Sequence, residues 1–330
     1  MSSSPHPYTD LRPETVLAAV ESLGFDPNAS IFALNSYENR VYQVGIHDGP
    51  AIIVKFYRPD RWTDAQIIEE HEYTKELAGL EIPVIAPMEF PGIGSISQFE
   101  NFQFAVFPHF IGRPPELDNL DNLLVMGRFV GRIHAVGAMR NFKHRVHFSV
   151  DKFGIQSREF LLINDFLPTD LVQAYDSLSQ DLLSRIDVRM REHGEIHTLR
   201  IHGDCHPGNV LWKGGIPNFV DFDDTMTGPA IQDLWMMLSG ERDQRQAQLL
   251  ELAEGYNEFH DFRPSELVLV ESLRTLRLMH YAAWLARRWK DPAFPLSFPW
   301  FNTERYWAEH ILELREQLSA LDEPPLILIQ

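Results

Sequence analysis

Ile201-His202-Gly203-Asp204-Cys205-His206-Pro207-Gly208-Asn209-Val210-Leu211-Trp212, followed by Phe219-Val220-Asp221-Phe222-Asp223-Asp224, is the stretch on which the fold and the chemistry of this chain turn. Its β signal falls on Leu199–His202, Asn209–Trp212 and Asn218–Phe222, with Lys213-Gly214-Gly215 as the turn between the second and third runs. An Asp, an Asn five residues later and a further Asp twelve beyond that therefore lie on short strands and their loop. Phosphoryl transfer needs such a set: one carboxylate to orient the attacking hydroxyl and accept its proton, and oxygen ligands to hold Mg²⁺ against the phosphates. Asp204 fits the first role; Asn209 and Asp221 fit the second. Gly203 and Gly208 let the backbone turn tightly around the acceptor. Asp and Asn also serve as plain turn residues, but the patterned run with its strand, Gly-Gly turn, strand and Asp is far more specific than a lone Asp-x-Asn. A competing two-metal hydrolase would recruit His202, Asp204, His206, Asp221, Asp223 and Asp224, leaving the β-rich segment upstream without a task.

Outward from this stretch the texture changes twice. Upstream, Thr9 or Asp10 can cap a helix with Pro13 in its first turn, ended by Gly24. Three β-rich runs follow at Ile31–Asn35, Arg40–His47 and Ala51–Tyr57, the last two joined through Asp48-Gly49-Pro50 as a hairpin. Thr63 and Gln66 form a capping box for a helix running to about Leu77 before Gly79. Two more strands are expected around Ser95–Gln98 and at Phe102–Pro108. From about Gly112 the chain reads as long amphipathic helices over Asn119–Val136, Leu171–His193, Gln244–Phe259, Glu266–Arg288 and Thr303–Leu321. The expected division is a small β-rich lobe, residues 1–110, and a larger helical lobe, residues 111–330, that contains the catalytic loop and metal site.

The composition narrows the function. The 330 residues are 44% hydrophobic and 23% charged, as a globular chain with a real core should be. Lys and Arg number 29 against 47 Asp and Glu, a net charge of −18, which argues against nucleic acid or an anionic membrane as partner. No apolar run approaches the roughly 18 residues of a membrane span. Met1 to Pro13 lacks a signal-peptide pattern, and the single cysteine, Cys205, can form neither an intramolecular disulfide nor a Cys-rich zinc site. A cytoplasmic protein is expected.

The HGDCHPGN and VDFDD motifs, with Gly228-Pro229 and Asp233-Leu234-Trp235 after them, resemble the aminoglycoside phosphotransferase and choline kinase superfamily. The match is closer still to the bacterial stress response kinase A family. It is carried by Leu34–Gln43 (LNSYENRVYQ), Val54–Pro59 (VKFYRP), Gln232–Met236 (QDLWM) and Asp291–Pro295 (DPAFP), and spans nearly the whole chain. The resemblance implies an α+β, bilobal protein-kinase-like fold. It further implies an ATP- and Mg²⁺-dependent serine/threonine protein kinase acting in stress response, with ATP and protein substrates, itself among them, as partners of a monomer.

With that fold, Lys55, mid-strand in an apolar run, reaches the α- and β-phosphates and pairs with a Glu on the next helix. Glu69, Glu70 and Glu72 are available. Glu70 shares a face with Ile67, Thr74 and Leu77, so it is chosen, with Glu72 in reserve. Leu34–Arg40 contains no glycine, so no Gly-rich loop covers the phosphates; Ser36 at that turn resembles the family's ATP-contact serine. Phe104–Ile111 would offer backbone groups to adenine. Asp233 would brace the catalytic loop through backbone N–H groups. Asp221 counts with Asp204 as catalytic and with Asn209 as a metal ligand, while Asp223 and Asp224 either assist the metal or carry surface charge. His202 reads as an orienting core histidine. Cys205 is expected to be an inert buried thiol, with a redox role as the alternative. Arg274, Arg277, Arg287 and Arg288, around Trp284, suit either an acidic substrate or helix-surface salt bridges. The catalytic motif cannot name the acceptor, so a small-molecule hydroxyl kinase remains open, as does a nucleotide-binding regulator acting through a partner.

Overall fold

The structure is a computed structural model and describes residues 7–328; the first six residues of the stretch examined for a signal peptide lie outside it. The chain begins with α1 (Pro13–Glu21), whose N-cap is Arg12 with no side-chain cap and not Thr9 or Asp10. Strands β1 (Pro27–Ala33), β2 (Arg40–Ile46) and β3 (Ile52–Phe56) follow. β1 starts four residues earlier than its apolar run suggests, across a register shift between Pro27 and Ile31 where Ala29 takes φ 62°. The Thr63–Gln66 capping box opens α2 (Asp64–Gly79), with both reciprocal bonds formed. β4 (Ser97–Phe99) and β5 (Phe102–Pro108) complete an antiparallel sheet of order β1-β2-β3-β5-β4.

Next in the chain come α3 (Leu120–Gly137), a π-turn at Asp151–Ile155 leading into α4 (Gln156–Ile163), and α5 (Val172–His193). Four short strands, β6 (Leu199–Ile201), β7 (Val210–Lys213), β8 (Ile216–Phe219) and β9 (Met226–Gly228), are followed by α6 (Ile231–Trp235) and α7 (Arg242–Asn257). A 3₁₀ turn at Pro264–Leu269 precedes α8 (Val270–Arg288), and α9 (Ala293–Ser297) and α10 (Glu304–Ala320) end the described chain. Among the described residues no helix is long and apolar enough to cross a membrane.

The chain divides into two compact units. The first holds residues up to Pro115 together with Phe142–Arg145 and Pro207–Thr225; the second holds the remainder. The expected boundary at residue 110 therefore misplaces the β7–β8 hairpin, which belongs to the first unit. The reason is backbone pairing: Ile85 N–H donates to Phe219 O, Phe219 N–H donates to Pro83 O, and Arg113 exchanges two bonds with Trp212.

In the first unit, strand alternation separates core from site. Ile52, Val54 and Phe56 of β3 pack with Phe102, Phe104 and Val106 of β5 and with Val16, Ala19 and Val20 of α1. The intervening Ile53 and Lys55 point to the opposite face. In the second unit, α4, α5, α8, α9 and α10 surround a core that includes Leu161, Tyr175, Ile186, Met279, Phe294, Trp307 and Leu314. There β6 pairs with β9, so that the segment after His202 is held at the end of a two-stranded ladder.

Candidate active site

Lys55 lies on the central strand β3, opposite Val41 of β2 and Ala105 of β5. Its ammonium is buried and stands 3.0 Å from Asp223 Oδ1, 3.2 Å from Asp221 Oδ1 and 3.7 Å from Glu70 Oε1. The three candidate glutamates on α2 are separated by what each one meets. Glu69 accepts backbone N–H bonds from Lys143, His144 and Arg145, Glu72 is exposed, and Glu70 is buried beside Lys55.

Burial works against a charged Lys55, but the nearby carboxylates of Asp223, Glu70 and Asp221 outweigh it and hold the ammonium protonated well above the ordinary lysine range. Glu70 moves the other way from a normal ion-pair carboxylate. Burial, with the charge of Asp223, raises it above the usual range despite Lys55 and Arg145. Lys55 is closer to Asp223, which is why Glu70 gains less from it.

Two arginines that the sequence reading passed over complete the cluster. Arg61 bonds Asp223 and, at 2.6 Å, Asp224. Arg145 donates to the carbonyls of Thr225 and Asp223, lies 3.8 Å from Glu70 and stacks over Trp62. Burial would raise the Asp223 carboxyl, yet Arg61, Lys55 and Arg145 together hold it well below the carboxylate range. Asp223 is therefore a buried anchor for cations and not a surface charge. Neither arginine has a local signal, because the partners of Arg61 lie 162 and 163 positions away and the Asp223 carbonyl that Arg145 meets lies 78 away.

Asp221 is placed differently. It adopts the left-handed conformation at φ 59°, uncommon for a residue with a side chain, and its side chain is 54% exposed. Val220 N–H donates to Asn209 O at 3.0 Å, tying the residue before Asp221 to Asn209. A cavity of about 480 Å³ in this unit is lined by Ser36, Lys55, Glu70, Asn209 and Asp221. Its apolar side includes Val41, Ile53, Phe107 and Leu211, and the expected adenine-contact segment contributes Phe107–Phe110. Ser36 also donates to Asn39 O at 3.3 Å. Asn209 and Asp221 offer side-chain oxygens at the wall of this cavity, a donor pair that suits Mg²⁺, which takes one or two protein oxygens and completes its shell elsewhere. Among the described residues no three His, Cys, Asp or Glu side chains gather as a metal site.

In the second unit Asp233 accepts N–H bonds from His202 at 2.7 Å and Gly203 at 2.8 Å, and lies 3.0 Å from His134 Nε2. Gly203 itself sits at φ 85°, a conformation open to glycine. Asp204, next in the chain, has Arg277 Nη1 at 2.6 Å from Oδ1 and His206 Nε2 at 3.5 Å from Oδ2. Burial acts to raise the Asp204 carboxyl, but His206 and Arg277 prevail and depress it. Cys205 is buried, and burial pushes its thiol up, away from thiolate reactivity.

Residues 31–267 match the model of the phosphotransferase enzyme family. Stress response kinase A of Escherichia coli (strain K12) is 42% identical over 326 residues, 99% of this chain and 98% of that protein. The chain belongs to the stress response kinase A family of phosphotransferase enzymes. Another relative in this kinase family is the serine/threonine protein kinase RdoA of Salmonella typhimurium (strain LT2), 41% identical over the same length and shares. Amicoumacin kinase hAmiN, solved with AMP-PNP and Ca²⁺, has TM-score 0.73 at 18% identity, covering 96% of this chain and 95% of that one. A microcompartment-associated aminopropanol kinase has TM-score 0.69 at 17% identity, covering 92% and 98%. The fold of this phosphotransferase is kinase-like, with a small antiparallel-sheet unit and a helical one.

Proposed function

We propose that this kinase transfers the γ-phosphoryl group of Mg²⁺-bound ATP to serine or threonine hydroxyls of proteins, itself included. The observation that carries the nucleotide side is the buried Lys55, held by Glu70 and Asp223 at the wall of the cavity that Asn209 and Asp221 also line. Lys55 would hold the α- and β-phosphates and Ser36 would donate its hydroxyl to a phosphate oxygen. Phe107–Phe110 would receive adenine. Asn209 and Asp221 would hold Mg²⁺, which when bound neutralises charge on the phosphate oxygens. Asp204 would orient the acceptor hydroxyl and take its proton as the new P–O bond forms and ADP leaves. Asp233 would keep that loop in shape through the His202 and Gly203 N–H groups. The preference for protein acceptors is supported by the family and by the kinase named for serine/threonine among its relatives.

The test is γ-labelled ATP with Mg²⁺, offered this chain alone, a model protein and a panel of small polar alcohols. Label on the chain or on the model protein is the expected result. Label confined to a small alcohol would overturn the protein-kinase assignment. Asp204→Ala should abolish transfer while ATP affinity stays within a few-fold, because the residue is assigned to the acceptor and not to the nucleotide. Near-wild-type turnover would remove Asp204 from the mechanism. Asp221→Asn should raise the Mg²⁺ requirement and cut turnover strongly; an unchanged metal dependence would transfer the role elsewhere.

A further inference from the structure

Of the four arginines on α8 that the sequence leaves undecided, three are occupied locally or by neighbouring rings. Arg274 pairs with Glu271 at 3.2 Å and lies over Trp235. Arg287 donates to Gln156 O and lies over Phe160, and Arg288 lies over Trp284. Arg277 differs. Its one ion-pair partner among the described residues is Asp204, and its side chain is still 40% exposed.

That contact has a chemical consequence. With Arg277 Nη1 2.6 Å from one oxygen of Asp204 and His206 Nε2 3.5 Å from the other, a hydroxyl donor must share the carboxylate with both side chains, and the guanidinium is the tighter competitor. A guanidinium has five N–H donors and can bind a second carboxylate or a phosphate in fork geometry. The surroundings favour such a guest. In a chain of net charge −18, the strongest charges acting on His280, one turn further along α8, are the cations Arg287, Lys152, Arg288 and Arg277. Arg277 and His280 also line a small cavity of about 40 Å³ with Gly203, Gln232 and Phe153. His280 is neutral there, since burial and these cations push it down to about 3, and its Nδ1 lies 3.3 Å from Ser157 Oγ.

We infer that Arg277 is a specificity-determining and positioning residue that holds Asp204 until an acceptor arrives whose hydroxyl is flanked by a carboxylate or phosphate. The acidic group takes the guanidinium, and the freed Asp204 oxygen receives the hydroxyl. This rests on the assignment of Asp204 to the acceptor hydroxyl. It adds a substrate class: acceptors with an acidic group next to the serine or threonine.

The experiment compares kcat and KM of wild type, Arg277→Gln, Arg277→Lys and Arg277→Glu. The acceptors are serine peptides flanked by Glu, phosphoserine, Gln or Lys, and a free hydroxy acid as the small-molecule arm. Wild type should favour the Glu and phosphoserine peptides over the Gln peptide by about tenfold or more in kcat/KM, the size expected of one charge-assisted contact. Arg277→Gln should erase that ratio, chiefly through KM, Arg277→Lys should keep part of it, and Arg277→Glu should turn the preference toward Lys-flanked peptides. A rate loss in Arg277→Gln confined to the free hydroxy acid would support the same contact with a small acceptor while removing the peptide. An acid preference unchanged in Arg277→Gln, or absent in wild type, overturns the inference. Asp204→Asn separates the two levels: if it abolishes transfer to every acceptor while the Arg277 variants leave selectivity intact, only the Arg277 inference fails. If it retains transfer, the assignment of Asp204 fails first. Melting curves exclude misfolding, and the Glu variant's inverted preference is a readout that a merely structural salt bridge would not produce.

Discussion

Lys55 and Glu70 touch one another, yet their substitutions should act on stability in opposite directions. Lys55→Met leaves Glu70 and Asp223 buried with one cation fewer, and breaking a buried cluster in this way costs about 3 kcal/mol or more. Glu70→Gln removes a carboxylate whose proton affinity the fold has raised. A carboxyl raised in the folded state favours folding below its unfolded pKa, and that contribution is lost as pH rises through the folded value. At pH 7 the ionised Glu70 therefore weighs against folding, so Glu70→Gln should unfold at the same or higher urea concentration than wild type. Both variants should lose turnover with ATP. A Glu70→Gln protein clearly less stable than wild type would show that the Lys55 pairing, at 3.7 Å, outweighs burial.

At the scale of elements, α3 and α7 approach so closely that glycine is required on both. A Cβ on Gly127 would run into the Leu252 carbonyl, and one on Gly255 into the Leu124 carbonyl. Alanine would gain about 1 kcal/mol in helix propensity at either position, but backbone cannot yield as a flexible side chain can. Overpacking costs about 1–3 kcal/mol, so Gly127→Ala and Gly255→Ala should each destabilise on balance, visible as a lower denaturation midpoint. A stabilised variant would mean the helices can separate without loss. Helix α2 makes the opposite case, because its start is local chemistry: the Thr63 and Gln66 side chains and backbone groups satisfy one another. The segment leading to α4 shows why some elements escape a periodicity search. Its first turn, Asp151–Ile155, is a π-turn, which breaks the 3.6-residue spacing. At Gly154 within it, the ends of the Leu183 and Leu276 side chains occupy the space a Cβ would take.

For the whole molecule, acid should be destabilising through buried histidines. His71 is fully buried, 2.7 Å from Tyr57 Oη and 2.8 Å from Ser95 Oγ. Burial, with Lys55 and Lys75, pushes it down to about 3. His310 is buried and stacked on Tyr175 and Tyr306, and burial pushes it down to about 4. Unfolded histidine takes up its proton near pH 6.5, so between there and the folded values the unfolded chain binds more protons and stability falls as pH falls. At pH 5 each histidine contributes about 2 kcal/mol to that loss. The drop in Tm from pH 7 to pH 5 should therefore be smaller in His310→Phe than in wild type. An identical pH slope in the two proteins would show that His310 is not the titrating group.

The local order of this protein was legible because its causes repeat over a few residues. The alternation in β3, the Thr63 capping box and the helical period of α3 appear in the sequence near their observed bounds. The structure brings Ser36, Lys55, Glu70, Asn209 and Asp221 to one cavity; Glu70 is singled out by its helix face and Asn209 and Asp221 by their motif, whereas Ser36 and Lys55 take their roles from the family resemblance. What the chain's path alone decides are the charges that meet from far away. Arg61 finds Asp223 across 162 positions, Arg145 reaches the carbonyl of Asp223 across 78, and Arg277 on α8 lies against Asp204. β7 and β8 join the first unit through bonds to Pro83, Ile85 and Arg113. An ion pair has no sequence period: Coulomb attraction depends on separation in space and on burial, and both quantities exist only once the chain has folded.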